Sequence, residues 1–319
     1  MTLEDFFLLD GNLRPVWRFF LSVVLVFLAY SLAHLLAREV RDLIPRAGAW
    51  YGFSFLFELL ALLGSFKVMT RLFEHKPLGV VGLAFHPCWV KELCVGLGIG
   101  GIMMVSLGGA EALLGLARFA RNTLPARAEL AYGSCLFLIL LITATNEELV
   151  FRGYPFQKLV ESLGPPGAVA VSSAFFGLAH LGNSHHTWIS TLNTMLVGIP
   201  LSLAYLRTRS LWMPVGMHFT WNYVQGFVFG LPVSGYTFPT SLLNAQVHGA
   251  AWLTGSEYGP EGGLLSTIVV VGAGIYFFSA PIRMNERMRE LVLGPSLDAA
   301  TNAAIPVSPG PDPGEDGAT

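Results

Sequence analysis

The sequence predicts an all-α fold, a polytopic integral membrane bundle of about eight transmembrane helices, and three observations predict it. Of 319 residues, 53% are hydrophobic and only 13% are Asp, Glu, Lys or Arg, where soluble domains carry about 25% charged residues. The mean hydropathy is +0.57. The apolar residues are gathered into runs of roughly 20, the length a helix needs to cross the hydrocarbon core.

The spans follow in order along the chain. The first, 16–37, follows Asp10 and Arg14 and carries Arg18 at its start. No small-residue cleavage site follows it, so it is expected to stay as a membrane helix rather than leave as a signal. The second is 50–72. The third, 90–117, is long and glycine-rich (Gly96, Gly98, Gly100, Gly101, Gly108, Gly109), which permits close helix packing in lipid. The fourth is 131–151. The fifth, 166–181, is short enough to be tilted or re-entrant. The sixth, 188–206, carries Asn193 and Thr194, expected to bond across helices. The seventh is 211–231 and the eighth 264–282. Trp188, Trp212 and Trp221 fit interfacial or packing roles.

Five segments organise the chain: N-terminal helices in 1–130, a polar-bearing core in 131–231, a non-cytoplasmic loop in 232–263, the last span with its basic end in 264–292, and a tail in 293–319. The tail is rich in Pro, Gly, Asp and Ala and cannot bury enough surface to offset chain entropy, so it is expected to be disordered. Lys and Arg placement orients the bundle. Arg14, Arg18, Lys67, Arg71, Lys76, Lys91, Arg152, Lys158, Arg207, Arg209, Arg283, Arg287 and Arg289 fall on one side, and Arg38, Arg41, Arg46, Arg118, Arg121 and Arg127 on the other. Both termini are therefore expected in the cytoplasm of a multi-pass protein of the cell membrane.

The net charge of −2 says nothing of nucleic acid, but no basic stretch resembles a phosphate-tracking patch, so no nucleic-acid partner is expected. Cys88, Cys94 and Cys135 offer neither ligand spacing nor an even disulfide set, and are read as packing residues.

Ionisable residues inside a span cost about 2.5–3.5 kcal/mol each on insertion scales, yet here they cluster between 146 and 222. In Asn146-Glu147-Glu148-Leu149-Val150-Phe151-Arg152, helical spacing puts Glu148 and Arg152 on one face, able to pair. Glu147 lies about 100° around the helix and is left free, suited to act as a general base on water. Alone, this group reads equally well as charges at a helix end with a snorkelling arginine. In Phe175-Phe176-Gly177-Leu178-Ala179-His180, Phe176 and His180 share a face, although a lone histidine there is more often structural. In His218-Phe219-Thr220-Trp221-Asn222, His218 and Asn222 share a face within an apolar helix. The bland alternative for that pair is interhelical hydrogen bonding. Taken together, Glu147 and His180 would hold and activate a water, and His218 and Asn222 would donate to a tetrahedral oxyanion. Those are the parts needed to hydrolyse an amide. His185 and His186, in the loop after the fifth span, are expected to be exposed loop residues.

Glu-Glu-x-x-x-Arg, then Phe-x-x-x-His, then His-x-x-x-Asn, in that order on apolar segments, resembles the CAAX protease and bacteriocin-processing (CPBP or Abi) family, which includes the type II CAAX prenyl endopeptidases. The resemblance covers about 133–225. It implies an intramembrane protease acting on a membrane-anchored peptide or protein, of which prenylated CAAX proteins are the family's named class. It also implies that Glu147 activates water, that Glu148 and Arg152 support it, that His180 holds the water, and that His218 and Asn222 stabilise the oxyanion. Members are commonly named metalloproteases. Glu147, His180 and His218 are the candidate ligands if a zinc ion is used, but no His-Glu-x-x-His motif is present, and a glutamate-activated water without zinc is favoured. Two other readings stay in play. One is a non-proteolytic immunity or scaffold protein of the same fold. The other is a transporter using the buried charges, against which the sequence has no inverted repeat.

Overall fold

The computed structural model describes residues 3–40 and 47–293. Arg41, Arg46 and the expected disordered tail beyond Leu293 lie outside the described residues. The fold is all-α as expected, with two small two-stranded ribbons at its edges. Helix α1 (Leu3–Phe7) and the ribbon of β1 (Leu8–Leu9) and β2 (Asn12–Leu13) fold back on the start of α2 (Pro15–Val40). There Arg14 Nε donates to the carbonyls of Asp5 and Leu8, and Trp17 Nε1 to that of Phe6. Proline at the first position of α2 suits a site whose amide has no helical acceptor.

The remaining helices are α3 (Ala47–Met69), α4 (Trp89–Leu113), α5 (Ala126–Arg152), α6 (Tyr154–Ala179), α7 (Trp188–Thr208), α8 (Trp212–Tyr223), α9 (Ala251–Thr254), α10 (Leu264–Ser279) and α11 (Glu286–Leu293). Five helical stretches among the described residues are long and apolar enough to cross a membrane: Pro15–Glu39, Gly52–Glu74, Trp89–Leu113, Ala126–Ala179 and Trp188–Thr208. Five such stretches stand beside the eight separate spans expected. The fourth and fifth expected spans lie in one stretch, α5 followed by α6 across Gly153. The seventh, α8 with a π turn at Val224–Val228, and the eighth, α10, fall short of full span length. At 1.5 Å per residue α10 reaches about 24 Å, less than a hydrocarbon core of about 30 Å.

Helix α6 is broken at Gly164, whose φ of 71° and ψ of 169° lie outside the helical region. Glycine adopts positive φ at little steric cost. Pro165 and Pro166 follow it and supply no amide donors to continue the preceding turn. Beyond this kink the second half of α6 brings His180 to within 3.9 Å of Glu147.

Helix α8 is seated by α4. A Cβ built on Gly96 would stand 2.2 Å from the Met213 carbonyl oxygen, and one on Gly100 2.2 Å from that of Met217. Gly216 answers from α8, where a Cβ would stand 2.7 Å from the Leu93 carbonyl oxygen. Only hydrogen fits between these backbones, as the glycine-rich span predicts. This contact fixes the segment that carries His218.

The loops divide between two ends of the bundle. At the first end Glu74 Oε1 accepts from Tyr154 at 2.9 Å and pairs with Arg18 at 3.1 Å and Lys158 at 3.0 Å. Leu211 N donates to the Gly82 carbonyl there, and Lys76 Nζ to that of Val292. At the second end lies the loop segment 232–263. Its β4 (Leu243–Val247) pairs antiparallel with β3 (Ala117–Arg121), Ala117 opposite Val247 and Arg121 opposite Leu243. The third expected span accordingly ends at Leu113, and the chain turns through Gly115 (φ 70°) into β3. Tyr258 is buried under this layer, and burial holds its phenol above the ordinary tyrosine range.

Cys94 and Cys135 are exposed and Cys88 half-buried, so the expectation that all three pack inside is corrected. In a bilayer the outer face of a helix meets lipid, and a thiol there needs no protein cover. Phe27, Ile102 and Phe278 are exposed on the same principle.

Candidate active site

Helices α5, α6 and α8 bring the three sequence motifs together. Near the end of α5, Glu148 and Arg152 are fully buried and paired, Arg152 Nη1 to Glu148 Oε1 at 3.2 Å. Arg152 also donates to the Gly198 carbonyl at 3.3 Å and stacks over Phe176 at 4.5 Å. A buried guanidinium is tolerated only with such partners. The expected i,i+4 pair is present, and α7 completes it.

The same Glu148 oxygen lies 2.9 Å from His218 Nδ1. His180 Nδ1 lies 2.7 Å from the Phe176 carbonyl oxygen. A carbonyl only accepts, so Nδ1 of His180 carries the hydrogen. Phe176 separates the rings, edge-on to His180 at 4.9 Å and to His218 at 6.1 Å between centroids. Both imidazoles are thus fixed through Nδ1, and each turns Nε2 to Glu147. Glu147 Oε2 lies 3.9 Å from His180 Nε2 and 3.8 Å from His218 Nε2, and it has no hydrogen-bond partner of its own. Glu147 does point away from the Glu148–Arg152 pair, as its helical position requires. Asn222 is buried one turn beyond His218.

These side chains border a cavity of 760 Å³ lined by Glu147, His180, His218 and Asn222. Tyr132, Leu136, Ile139, Leu140, Thr143 and Glu147 line it along one face of α5, a stripe of three- and four-residue steps. From Tyr132 to Glu147 that face descends about 22 Å.

Two residues that the motifs did not indicate join the site. Glu58 of α3 lies beside Asn146 and is a charge neighbour of Glu147. Asn146 also donates to the Phe55 carbonyl at 2.9 Å. The signal was present in the sequence, since Glu58 is an acid within an apolar run, at a cost that needs a reason. Glu261 roofs the cavity. Its carboxylate accepts from Trp221 Nε1 at 3.0 Å, from Ser234 N at 2.6 Å and from Ser234 Oγ at 2.7 Å. Nothing local in the glycine-rich loop foretold this.

Asn193 bonds across elements as expected, accepting from Thr267 at 2.6 Å and donating to the Glu261 and Gly263 carbonyls. Thr194 instead bonds the Ser190 carbonyl of its own helix. His185 and His186 are exposed in the loop, His185 beside Glu257. Among the described residues no three His, Cys, Asp or Glu side chains are grouped so as to hold a metal ion. The candidate zinc ligands Glu147, His180 and His218 thus surround a space without forming a closed ligand set.

The family model described as type II CAAX prenyl endopeptidase Rce1-like matches residues 131–224. This is the family group that the three motifs resemble, and the matched segment contains all seven motif residues. Neither a curated protein nor a solved structure matches the chain.

Proposed function

We propose that the chain, Rce1-like over residues 131–224, is an intramembrane endopeptidase that hydrolyses a peptide bond of a membrane-associated substrate with a water activated by Glu147 and His180. One observation carries this reading: the unpartnered Oε2 of Glu147 stands 3.8–3.9 Å from two imidazole Nε2 atoms beside a large cavity. Those separations are too long for direct hydrogen bonds and suit a water held between the groups.

The water oxygen bonds to the scissile carbonyl carbon while Glu147 takes one of its protons. The C–N bond then breaks, and Glu147 returns the proton to the leaving amine. Neutral His180, its Nδ1 hydrogen committed to the Phe176 carbonyl, keeps a lone pair on Nε2 to accept the water's second hydrogen. The oxyanion falls to Asn222 and His218. For His218 to donate from Nε2 it must be the imidazolium, and Glu148 is then its counter-ion. Arg152, 3.2 Å from Glu148 Oε1, holds that carboxylate in place. No step is routed through a metal.

The test is cleavage of quenched, membrane-anchored peptides by detergent-purified wild type and Glu147→Gln, with and without chelator. Cleavage lost in the variant and kept with chelator supports the mechanism. Cleavage lost with chelator as well would put a metal in the site. No cleavage by wild type of any peptide would overturn the protease reading in favour of an immunity or scaffold role.

A further inference from the structure

The described residues enclose the site unequally towards its two ends. Towards the first end of the bundle it is sealed: beneath Glu147 stand Glu148, Arg152, Leu149, Phe176 and Ser202, each at most 2% exposed. Below these, buried Tyr154 and Tyr205 close the way to the Glu74–Lys158 cluster. Towards the second end the cavity is open. Its exposed lining residues there are Tyr236, Thr237 and Pro239 of the roof segment.

The charges tell the two ends apart. Among the described residues the first end carries Arg14, Arg18, Lys67, Arg71, Lys76, Lys91, Lys158, Arg207, Arg209, Arg283, Arg287 and Arg289. The second carries Arg38, Arg118, Arg121 and Arg127. Arg152 belongs to neither end, because it pairs with Glu148 inside the bundle, whereas Arg18 and Lys158 meet Glu74 at the first end. Twelve against four is a strong bias, and basic residues are retained on the cytoplasmic side. The sealed end is therefore the cytoplasmic one.

We infer that the cavity receives its substrate from the non-cytoplasmic side, and that the substrate is an exported polypeptide with an apolar segment beside its cleavage site. The inference rests on the protease reading above and names its substrate class. The lining between mouth and Glu147 is mostly apolar, with Leu136, Ile139, Leu140, Val197, Met217 and Trp221. Its length of about 22 Å takes about seven residues of extended chain at roughly 3.3 Å each. Polar groups wait at the base, where the amide would be cut, and at the rim. A lipidated C-terminus presented from the cytoplasm would meet the sealed end.

The test uses full-length protein without its native cysteines (Cys88→Ser, Cys94→Ser, Cys135→Ser), carrying either Tyr236→Cys at the mouth or Lys91→Cys at the first end. A membrane-impermeant maleimide is added to intact cells. The expected result is labelling of Tyr236→Cys at once and of Lys91→Cys only after permeabilisation. The reverse pattern overturns the inference, whatever the protein's activity. A second arm gives detergent-purified wild type two quenched peptides of equal length, one with a seven-residue apolar stretch and one with that stretch made polar. Preferential cleavage of the apolar peptide supports the substrate class, and equal cleavage overturns it. Failure to cleave either peptide, with the labelling as expected, would count against the protease reading and leave the access side standing.

Discussion

Oε1 of Glu148 lies 2.9 Å from Nδ1 of His218, and the same oxygen lies 3.2 Å from Nη1 of Arg152. One buried atom thus couples an arginine on α5 to the ring that faces the cavity from α8. Glu148→Gln is expected to impair both stability and turnover. Removing one partner of a buried pair costs about 3–5 kcal/mol because the other charge is left uncompensated. Thermal unfolding in detergent, read beside the cleavage rate, would reveal the two losses together. Unchanged stability would mean that the pair is not buried in the folded protein.

Glu147→Gln and His180→Ala are expected to behave differently. Glu147 Oε2 has no partner to lose, so the fold should tolerate its replacement. A general base contributes about 10²–10⁴ in rate, and that factor should vanish from kcat while the unfolding temperature stays near wild type. Equal destabilisation by Glu147→Gln and Glu148→Gln would mark the cluster as structural.

Gly100→Val should displace α8. Even one methyl at Gly100 meets the Met217 carbonyl at 2.2 Å, whereas nothing lies within 4 Å of a Cβ on Gly98. Overpacking costs about 1–3 kcal/mol, and here it shifts the helix bearing His218. Gly98→Ala is the matched control and should leave unfolding and cleavage unchanged. Equal effects of the two would show that the α4–α8 contact does not set the site.

Glu261→Ala should loosen the roof. It removes three hydrogen bonds from a carboxylate, and bonds to charged groups are worth about 1.5–3 kcal/mol each. KM is expected to change more than kcat, with faster proteolytic nicking between 233 and 239. A pure kcat effect would place Glu261 in the chemistry instead.

The helical spacing of two or three polar residues made much of the site legible. Glu148 with Arg152, Phe176 with His180, and His218 with Asn222 each fall four apart, and periodicity alone puts each pair on one face. The number of spans was less readable. Hydropathy cannot see that α5 and α6 form one helical stretch kinked at Gly164, or that α8 and α10 are short. Glu58 was visible as an acid in an apolar run, but its neighbour Asn146 lies 88 positions on, and no local pattern reports that distance. Glu261 was hidden for the same reason, because its partners Trp221 and Ser234 meet it only once the loop has folded inward.

The paired backbones of Gly96 and Gly100 with Met213 and Met217 join two regions of different standing, for α4 lies wholly before the matched residues 131–224 and α8 lies within them. The motif-bearing segment is therefore not a portable module. Excised at its sequence boundaries, it would lose the surface on which α8 is cast, together with Glu58, and His218 would have nothing to hold its helix in register. Homologues that keep the motifs but exchange their N-terminal helices must supply a substitute for this seam, and the glycines at its four-residue step are the place to look for one.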